Sequence, residues 1–283
     1  MKRKVAILLI LILCYLMVIV PFTSYLKNKP YIEKLGYVPK AEIVKLLSGD
    51  QHQFIAAALV MKVMAYFGGL VEQAQQNVHV PPDYYNMYKT IENAVKLDPY
   101  NMDAYYFGQA TLAWDLKRIQ EANELLEYGM KYRTWDFYLP FFAGFNYAFF
   151  LKDYDNAARY YQRVGDLTGS ELPINLAGRY LYESGQTDLA IAYLSTMAKS
   201  ARNEAIKKTF QIRLTAFQQV KQIEQAIARY RQKTGHGPTS IKDLLNKGIL
   251  QSPPVDPYGG TFFIDAHGRV RSSSNFAYAA TKR

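Results

Sequence analysis

The chain has 283 residues, of which 49% are apolar and 20% are charged, a balance that excludes a disordered protein and allows one or two domains with a hydrophobic core. The net charge of +10 is uneven, because residues 199–283 hold fifteen Lys and Arg against five Asp and Glu, whereas residues 1–198 hold nineteen of each. The only cysteine, Cys14, leaves the rest of the chain without a disulfide or a cysteine-based metal site.

An apolar segment near the N-terminus predicts a membrane anchor. Residues 5–22 carry no charge, and as a helix they would extend roughly 27 Å, close to the thickness of a hydrocarbon core. The segment is longer than the apolar core of a cleavable signal peptide, so residues 1–26 are predicted to be a retained transmembrane helix. Lys2, Arg3 and Lys4 precede it, which places the N-terminus in the cytoplasm. We expect a single-pass protein of a bacterial inner membrane whose C-terminal part faces the periplasm.

Residues 41–200 alternate between helical patterns and short turns, and small and aromatic residues recur about every 34 to 36 positions. The clearest unit has Ala177 and Gly178, then Ala190, Leu194 and Met197. The preceding unit has one extra residue in its turn, and the one before is two residues late; their matching positions are Ala143, Gly144, Tyr147, Ala157, Tyr161 and Val164, and Phe107, Gly108, Ala122, Leu126 and Gly129. On these residues, about 54–200 resembles the tetratricopeptide repeat family. An irregular helical bundle is the alternative.

That resemblance implies a solenoid of helical hairpins that binds a protein partner in a groove lined by the first helix of each pair. The candidate partner-binding residues in this region are Tyr105, Trp114, Tyr147 and Tyr180. Aromatic residues at helical spacing also pack between helices, so the sequence leaves open which of these rings are exposed.

Residues 201–283 form a basic C-terminal module, in which residues 203–233 are predicted to be one long helix and residues 238–246 a short one. The alternation at 261–264 and 269–272 predicts a β-hairpin. Together with the turn Asp256-Pro257-Tyr258-Gly259-Gly260, this order resembles the soluble part of type II secretion pseudopilins over about 203–272. Residues 5–22 contain no glutamate of the kind that family carries early in its helix, so we expect a cap or docking piece rather than a filament subunit. Arg213, Lys221 and Arg229 are expected to contact an acidic protein surface or anionic lipid.

We find no sequence pattern for a catalytic, cofactor or metal site. His52, His79, His236 and His267 have no zinc-ligand spacing, and Asp256 and Asp265 are too few for a confident calcium site. A periplasmic location would also remove nucleic acid as a partner. The sequence therefore predicts a mainly α, non-enzymatic scaffold that serves an envelope, secretion or pilus-type assembly. A structural accessory subunit of a membrane complex is the first alternative, and an enzyme with dispersed residues is the second.

Overall fold

The chain is mainly helical, with one small antiparallel sheet, in a computed structural model that describes residues 2–28, 35–37, 39–77 and 80–277. Within the first helix, side chains are described for residues 11–24. The flanking side chains of Lys2, Arg3 and Lys4 lie outside this description. The chain divides into two compact units, residues 1–97 and 98–283. That boundary falls inside the predicted repeat domain of residues 41–200, whose own limits stay a prediction.

The described residues of the first unit form four helices and a short 3-10 turn at Gly49–Gln51. The helices are α1 (Lys2–Asn28), α2 (Ala41–Ser48), α3 (His52–Gln75) and α4 (Tyr84–Leu97). One side of α3 packs on α4 and is buried there, through Ala56, Val60, Val63, Tyr66 and Leu70. The Tyr66 hydroxyl accepts a hydrogen bond from the Asp83 backbone N–H at 2.9 Å, which holds the chain where α4 begins.

Among the described residues, one helical stretch is long and apolar enough to cross a membrane by length and composition, and it is Ala41–Gln75. The described part of α1, Leu11–Ser24, is apolar but shorter than a membrane span. The predicted N-terminal helix is present, whereas its crossing of a membrane stays a prediction.

The second unit contains the helices of the three repeat units identified after residue 100, the long basic helix and the sheet. From α5 to α11, helices that follow one another in the chain also pack against one another. Their bounds are α5 (Met102–Ala110), α6 (Ile119–Tyr132), α7 (Tyr138–Asn146), α8 (Tyr154–Thr168), α9 (Glu171–Glu183), α10 (Thr187–Ser200), α11 (Glu204–Thr234), α12 (Ile241–Asn246), β1 (Phe262–Ile264) and β2 (Val270–Ser272).

Glycine allows close approach where these helices cross. A Cβ on Gly144 of α7 would lie 3.1 Å from the ring of Tyr161 on α8, and one on Gly178 of α9 would lie 2.9 Å from Leu194 on α10. Real Cβ atoms essentially never lie closer than 3.0 Å to a neighbour, so Gly178 admits no larger residue without movement, whereas at Gly144 the Tyr161 ring would have to shift by a few tenths of an ångström. The structure therefore brings together the small and large residues that share a unit in the sequence pattern.

Two of the helices end in a π-helical turn, Thr111–Asp115 after α5 and Tyr147–Leu151 after α7. In each turn a backbone N–H donates to the carbonyl five residues earlier, Leu116 to Thr111 and Lys152 to Tyr147. A lysine with a φ of 56° closes both turns, Lys117 in one and Lys152 in the other. The sequence pattern did not predict these turns.

The basic module is built around α11. Asn203 caps this helix by accepting from the Ala205 backbone N–H at 2.8 Å, and Gly235 ends it with a φ of 78°. The sheet pairs Phe262 with Ser272 and Ile264 with Val270, which confirms the predicted hairpin. Phe217 of α11 lies 5.2 Å from the ring of Tyr182, inside a core that α9, α10, α12 and the sheet complete.

Candidate protein-interaction surfaces

Six aromatic side chains form a partly exposed surface on α5, α7 and the π-helical turns that follow them. We call this set the aromatic surface; it consists of Tyr106, Trp114, Tyr138, Phe142, Phe145 and Phe149. Four of its members are exposed and two, Phe142 and Phe145, are half-buried. The four residues on α7 and its turn recur at intervals of four, three and four, so they share one face of a helix.

The rings of the aromatic surface touch one another across the two helices. Tyr106 of α5 meets Phe142 of α7 edge to face, with ring centroids 5.8 Å apart. Trp114 lies 5.7 Å from the ring of Phe145 and 5.9 Å from that of Phe149, although it remains 46% exposed. Mutual packing fixes the orientation of each ring, so a partner would meet a preformed surface.

Two lysines border the aromatic surface. Lys152 Nζ lies 5.2 Å from the centre of the Phe149 ring, and Lys117 Nζ lies 5.9 Å from the centre of the Phe150 ring. Both are the left-handed residues that close the π-helical turns, so the same local geometry positions them. An apolar area with cations at its border is suited to an apolar or aromatic segment of a partner that also carries acidic groups.

Tyr105 has to be removed from the predicted partner-binding set. It is fully buried, at 0% exposure, and its ring fills the space beside Gly129, where an added Cβ would lie 2.7 Å from it. Its hydroxyl donates to the Pro99 carbonyl at 3.1 Å. The predicted set contains Tyr105 and not its neighbour Tyr106, but only Tyr106 points away from the core.

Tyr147 and Tyr180 are half-buried and engaged with neighbouring rings. Tyr147 stacks on Tyr160 at 5.5 Å and its hydroxyl lies 3.3 Å from Glu127 Oε1. Burial raises the pKa of Tyr147, and the Glu127 carboxylate raises it further. Tyr180 lies 5.7 Å from each of the rings of Tyr154 and Tyr161. Both tyrosines therefore contribute to packing between hairpins, with only part of each ring left for a partner.

The three predicted basic residues of α11 have different environments. Arg213 is a structural clamp whose guanidinium donates to the carbonyls of Asn175, at 3.2 Å, and Phe276, at 3.0 Å. Lys221 forms an ion pair with the exposed carboxylate of Asp188 at 2.6 Å. Arg229 is exposed, and its Nε lies 3.4 Å from the Gln225 carbonyl of its own helix. Arg229 is therefore the one of the three whose charge is directed mainly to solvent.

A groove of about 890 Å³ runs along the free edge of β1. Its lining includes all three residues of β1 and none of β2, with Leu245 of α12 and Val255 on its other side. Next to the strands, the backbone N–H of Asp265 donates to the Arg269 carbonyl, and the backbone N–H of Ser273 donates to the Thr261 carbonyl. Because hydrogen-bonded positions alternate in an antiparallel pair, the backbone N–H and C=O groups of Phe262 and Ile264 point away from β2. This edge has the geometry that accepts an extended peptide.

The two carboxylates considered for a calcium site, Asp256 and Asp265, have structural roles. Asp265 closes the hairpin turn by accepting from the backbone N–H groups of His267 and Arg269, at 2.9 Å each, and these bonds lower its pKa. Asp256 is buried and accepts from the Tyr258 backbone N–H at 2.9 Å and from Ser274 Oγ at 2.6 Å. Within the described ranges no three His, Cys, Asp or Glu residues are grouped to hold a metal ion, and His79 lies outside those ranges.

The four aromatic residues at 138, 142, 145 and 149 could have been found as a set, because their spacing alone places them on one helical face. The contribution of Tyr106 required the structure. No known family model matches the chain, and no curated protein is similar to it in sequence.

Proposed function

We propose that this protein is a membrane-anchored scaffold that binds a protein partner through the aromatic surface. The observation that carries the proposal is the exposure of a contiguous, preordered group of aromatic rings on the first helices of two successive hairpins. Exposed apolar areas of this kind usually mark interaction sites, and Trp and Tyr are enriched among the residues that dominate binding energy.

Two further features support a solenoid similar to tetratricopeptide repeats for residues 54–200. α3 packs on α4, and each helix from α5 to α11 packs on the next; the crossings within two hairpins are formed by a glycine against a large residue, Gly144 with Tyr161 and Gly178 with Leu194. In such a fold the first helices of the pairs line the binding groove, and α5 and α7, which carry the aromatic surface, would be the first helices of their pairs.

The proposed setting is a bacterial inner membrane, with α1 as a single-pass anchor and the rest of the chain in the periplasm. The described part of α1 supports this, because its apolar side chains from Leu11 to Phe22 are almost all exposed. The basic module would contact an acidic protein surface or anionic lipid through groups such as Arg229. An envelope, secretion or pilus-type assembly is the proposed place of action, with a pseudopilin-like docking role for the module.

Photocrosslinking in intact cells tests the partner site. A photoreactive amino acid is placed at Tyr106 or Phe149 in the full chain, and at Leu189 of α10 as an equally exposed control. We expect a discrete protein adduct from positions 106 and 149 and none from 189. Phe149→Ala should remove the adduct formed at 106, whereas Leu189→Ala should not. The same adducts from all three positions, or none from 106 and 149, would remove the aromatic surface as the binding site.

Membrane orientation is tested separately with a reporter fused after Arg283 that is active only in the periplasm. Activity is expected. Silence of an intact fusion would place the basic module in the cytoplasm and exclude the proposed setting.

A second candidate function is a structural accessory subunit that is permanently buried against neighbours. It is favoured by the amount of exposed apolar surface in both units, including Leu46 and Phe54 as well as the aromatic surface. The two functions differ in the isolated protein. A full chain that is monomeric and stable in mild detergent supports the scaffold, whereas a chain that is stable only together with copurifying subunits supports the accessory role.

A further inference from the structure

The first unit has an apolar face that no described residue covers. We call it the α2–α3 face, and its large members are Ile43, Leu46, Leu47, Phe54, Met61, Met64 and Val71. Leu46 is 84% exposed, Leu47 81%, Phe54 73% and Met61 62%. Side chains with these exposed fractions make little contact with the rest of the protein.

Small residues continue the α2–α3 face along the helix between its large members. Ala57, Ala58, Ala65 and Gly68 are exposed at helical spacing between Phe54 and Val71. The opposite side of α3 is the one that packs on α4. Throughout the 24 residues of α3 the only charged side chains are Lys62 and Glu72. The helix is therefore apolar on its exposed side as well as on its buried side, which does not suit contact with water.

The chain places this face close to the proposed anchor. α1 ends at Asn28 and α2 begins at Ala41, so twelve residues separate them. Even fully extended, such a segment reaches about 45 Å. Wherever α1 crosses a membrane, the α2–α3 face therefore lies within reach of the surface of that same membrane. This step rests on the proposed anchoring by α1.

The charged residues of α4 indicate whether α3 crosses the membrane or lies on its surface. α4 is packed along α3 and carries a partly exposed ion-pair network, in which Glu92 binds Lys89 at 2.7 Å and Lys96 at 2.8 Å. If α3 crossed the bilayer, α4 would carry these charges into the hydrocarbon, which is strongly unfavourable. If α3 lies parallel to the surface, its apolar face enters the lipid while α4 remains in water.

We propose that the α2–α3 face is a second membrane contact, in which α2 and α3 lie in the plane of the bilayer surface with Leu46, Leu47, Phe54 and Met61 inserted among the lipids. The ligand is the phospholipid bilayer itself. A fluid apolar phase suits this face, since protruding leucines and a phenylalanine separated by alanines need no partner of matching shape. Lys62 has a long enough side chain to keep its ammonium group at the headgroups.

Depth-dependent fluorescence quenching tests the proposal in the full chain. Cys14→Ser removes the native thiol, and single cysteines are introduced at Leu46, Phe54 or Met61 and labelled with an environment-sensitive fluorophore. Tyr85→Cys on α4 is the water-facing control and Val18→Cys on α1 the membrane control, both about two thirds exposed in the structure (65% and 68%). The protein is reconstituted in phosphatidylcholine and phosphatidylglycerol vesicles whose lipids carry a quencher near the headgroup or near the end of the acyl chain.

We expect the shallow quencher to be at least about twofold more effective than the deep one at all three positions on the α2–α3 face, as an in-plane helix requires. Iodide in the water should quench the label at position 85 and spare those at 46, 54 and 61. The label at position 18 should respond most strongly to the deep quencher.

The other outcomes separate failure of this proposal from failure of the anchor. Deep quenching at position 18 without lipid quenching at 46, 54 and 61 overturns the membrane contact and keeps the anchor. Absence of lipid quenching at 18 overturns the anchor. Deepest quenching at 61, with shallower values at 46 and 54, shows that α3 crosses the membrane and overturns the in-plane arrangement. Protection of 46, 54 and 61 from both lipid and aqueous quenchers assigns the face to a second protein molecule and overturns the proposal.

Discussion

The two longest helices that follow the N-terminal segment, α3 and α11, differ in the polarity of the side chains that they expose. In α11 one side is buried and most exposed positions on the other side are polar; they include Glu204, Lys208, Gln211, Thr215, Gln218, Gln222, Gln225 and Arg229, and the exposed apolar positions are the small residues Ala205 and Ala228. In α3 one side is buried as well, but the exposed positions from Phe54 to Val71 are mostly apolar. In α11 the apolar side chains are the buried ones, whereas in α3 many apolar side chains are exposed. An exposed apolar surface of this kind indicates contact with something other than water.

The largest expected difference between the two helices is the cost of removing a phenyl ring. Phe217 of α11 is fully buried between Tyr182 and Phe276, whereas Phe54 of α3 is mostly exposed. We expect Phe217→Ala to lower the free energy of unfolding by about 3–5 kcal/mol, because it leaves a cavity. Phe54→Ala should change it by less than about 0.5 kcal/mol.

Urea unfolding of both variants in mild detergent, followed by circular dichroism, measures this difference. A comparable loss of stability in Phe54→Ala would show that the α2–α3 face is covered within the chain itself, and the comparison would then fail.

Asp256 organises part of the structure that packs on α11, so its substitution should lower the stability of this region. Its carboxylate accepts from the Tyr258 backbone N–H and from the hydroxyls of Ser272 and Ser274, and the loop it organises carries Tyr258 into the core around α11. Asp256→Ala leaves these donors without their acceptor, so we expect a loss of about 2–3 kcal/mol in the free energy of unfolding.

The matched control is Asp265→Ala, in a hairpin turn whose polar groups are more exposed to water. It should cost less than Asp256→Ala in the same urea titration. An equal or larger cost would contradict a dominant role for the buried network.

Glycine to alanine substitutions give effects of opposite sign in the two units. A Cβ on Gly178 would lie 2.9 Å from Leu194 Cδ1, so Gly178→Ala should lower the free energy of unfolding by about 1–3 kcal/mol. Gly68, in the middle of α3, has no atom within 4 Å of an added Cβ. Gly68→Ala should therefore stabilise α3 by about 0.5–1 kcal/mol through helix propensity.

Thermal unfolding of the two variants is sufficient to read the sign of each change. A destabilised Gly68→Ala would mean that another helix approaches α3 at this glycine, in place of lipid.

The smallest effect concerns a polar group on the inner side of α11. Burial raises the pKa of Glu224 from its ordinary value of 4.5, although Thr187 Oγ1 donates to its carboxylate at 3.0 Å. Because the folded state binds the proton more tightly, the stability of the protein should decrease as pH rises through the interval between 4.5 and the raised pKa. Glu224→Gln should remove this dependence.

The measurement is the difference in unfolding free energy between Glu224→Gln and the native chain as a function of pH. We expect the variant to be more stable at neutral pH and its advantage to disappear below about pH 4.5. An advantage that grows on acidification would contradict the assignment.

The sequence predicted α11 within one residue at each end, because Asn203 and Gly235 are strong end signals and its apolar positions recur on one face. It also predicted the β-hairpin, whose period and turn residues are local features. It selected Tyr105 in place of Tyr106, because both belong to apolar helical positions and only the neighbouring helices decide which ring is covered. It did not predict the uncovered side of α3 either, because a helix that is apolar all round has no periodicity that indicates a water-facing side.

The two π-helical turns have a consequence for the evolution of this sequence. A π-helical turn accommodates one residue more than the α-helical turn it replaces, without displacing the helices before and after it. Thr111–Asp115 and Tyr147–Leu151 lie in the two hairpins whose spacing is longer than that of the Gly178 hairpin. Each turn therefore acts as a tolerance point, at which single codons can be gained or lost while the glycine crossings remain in place.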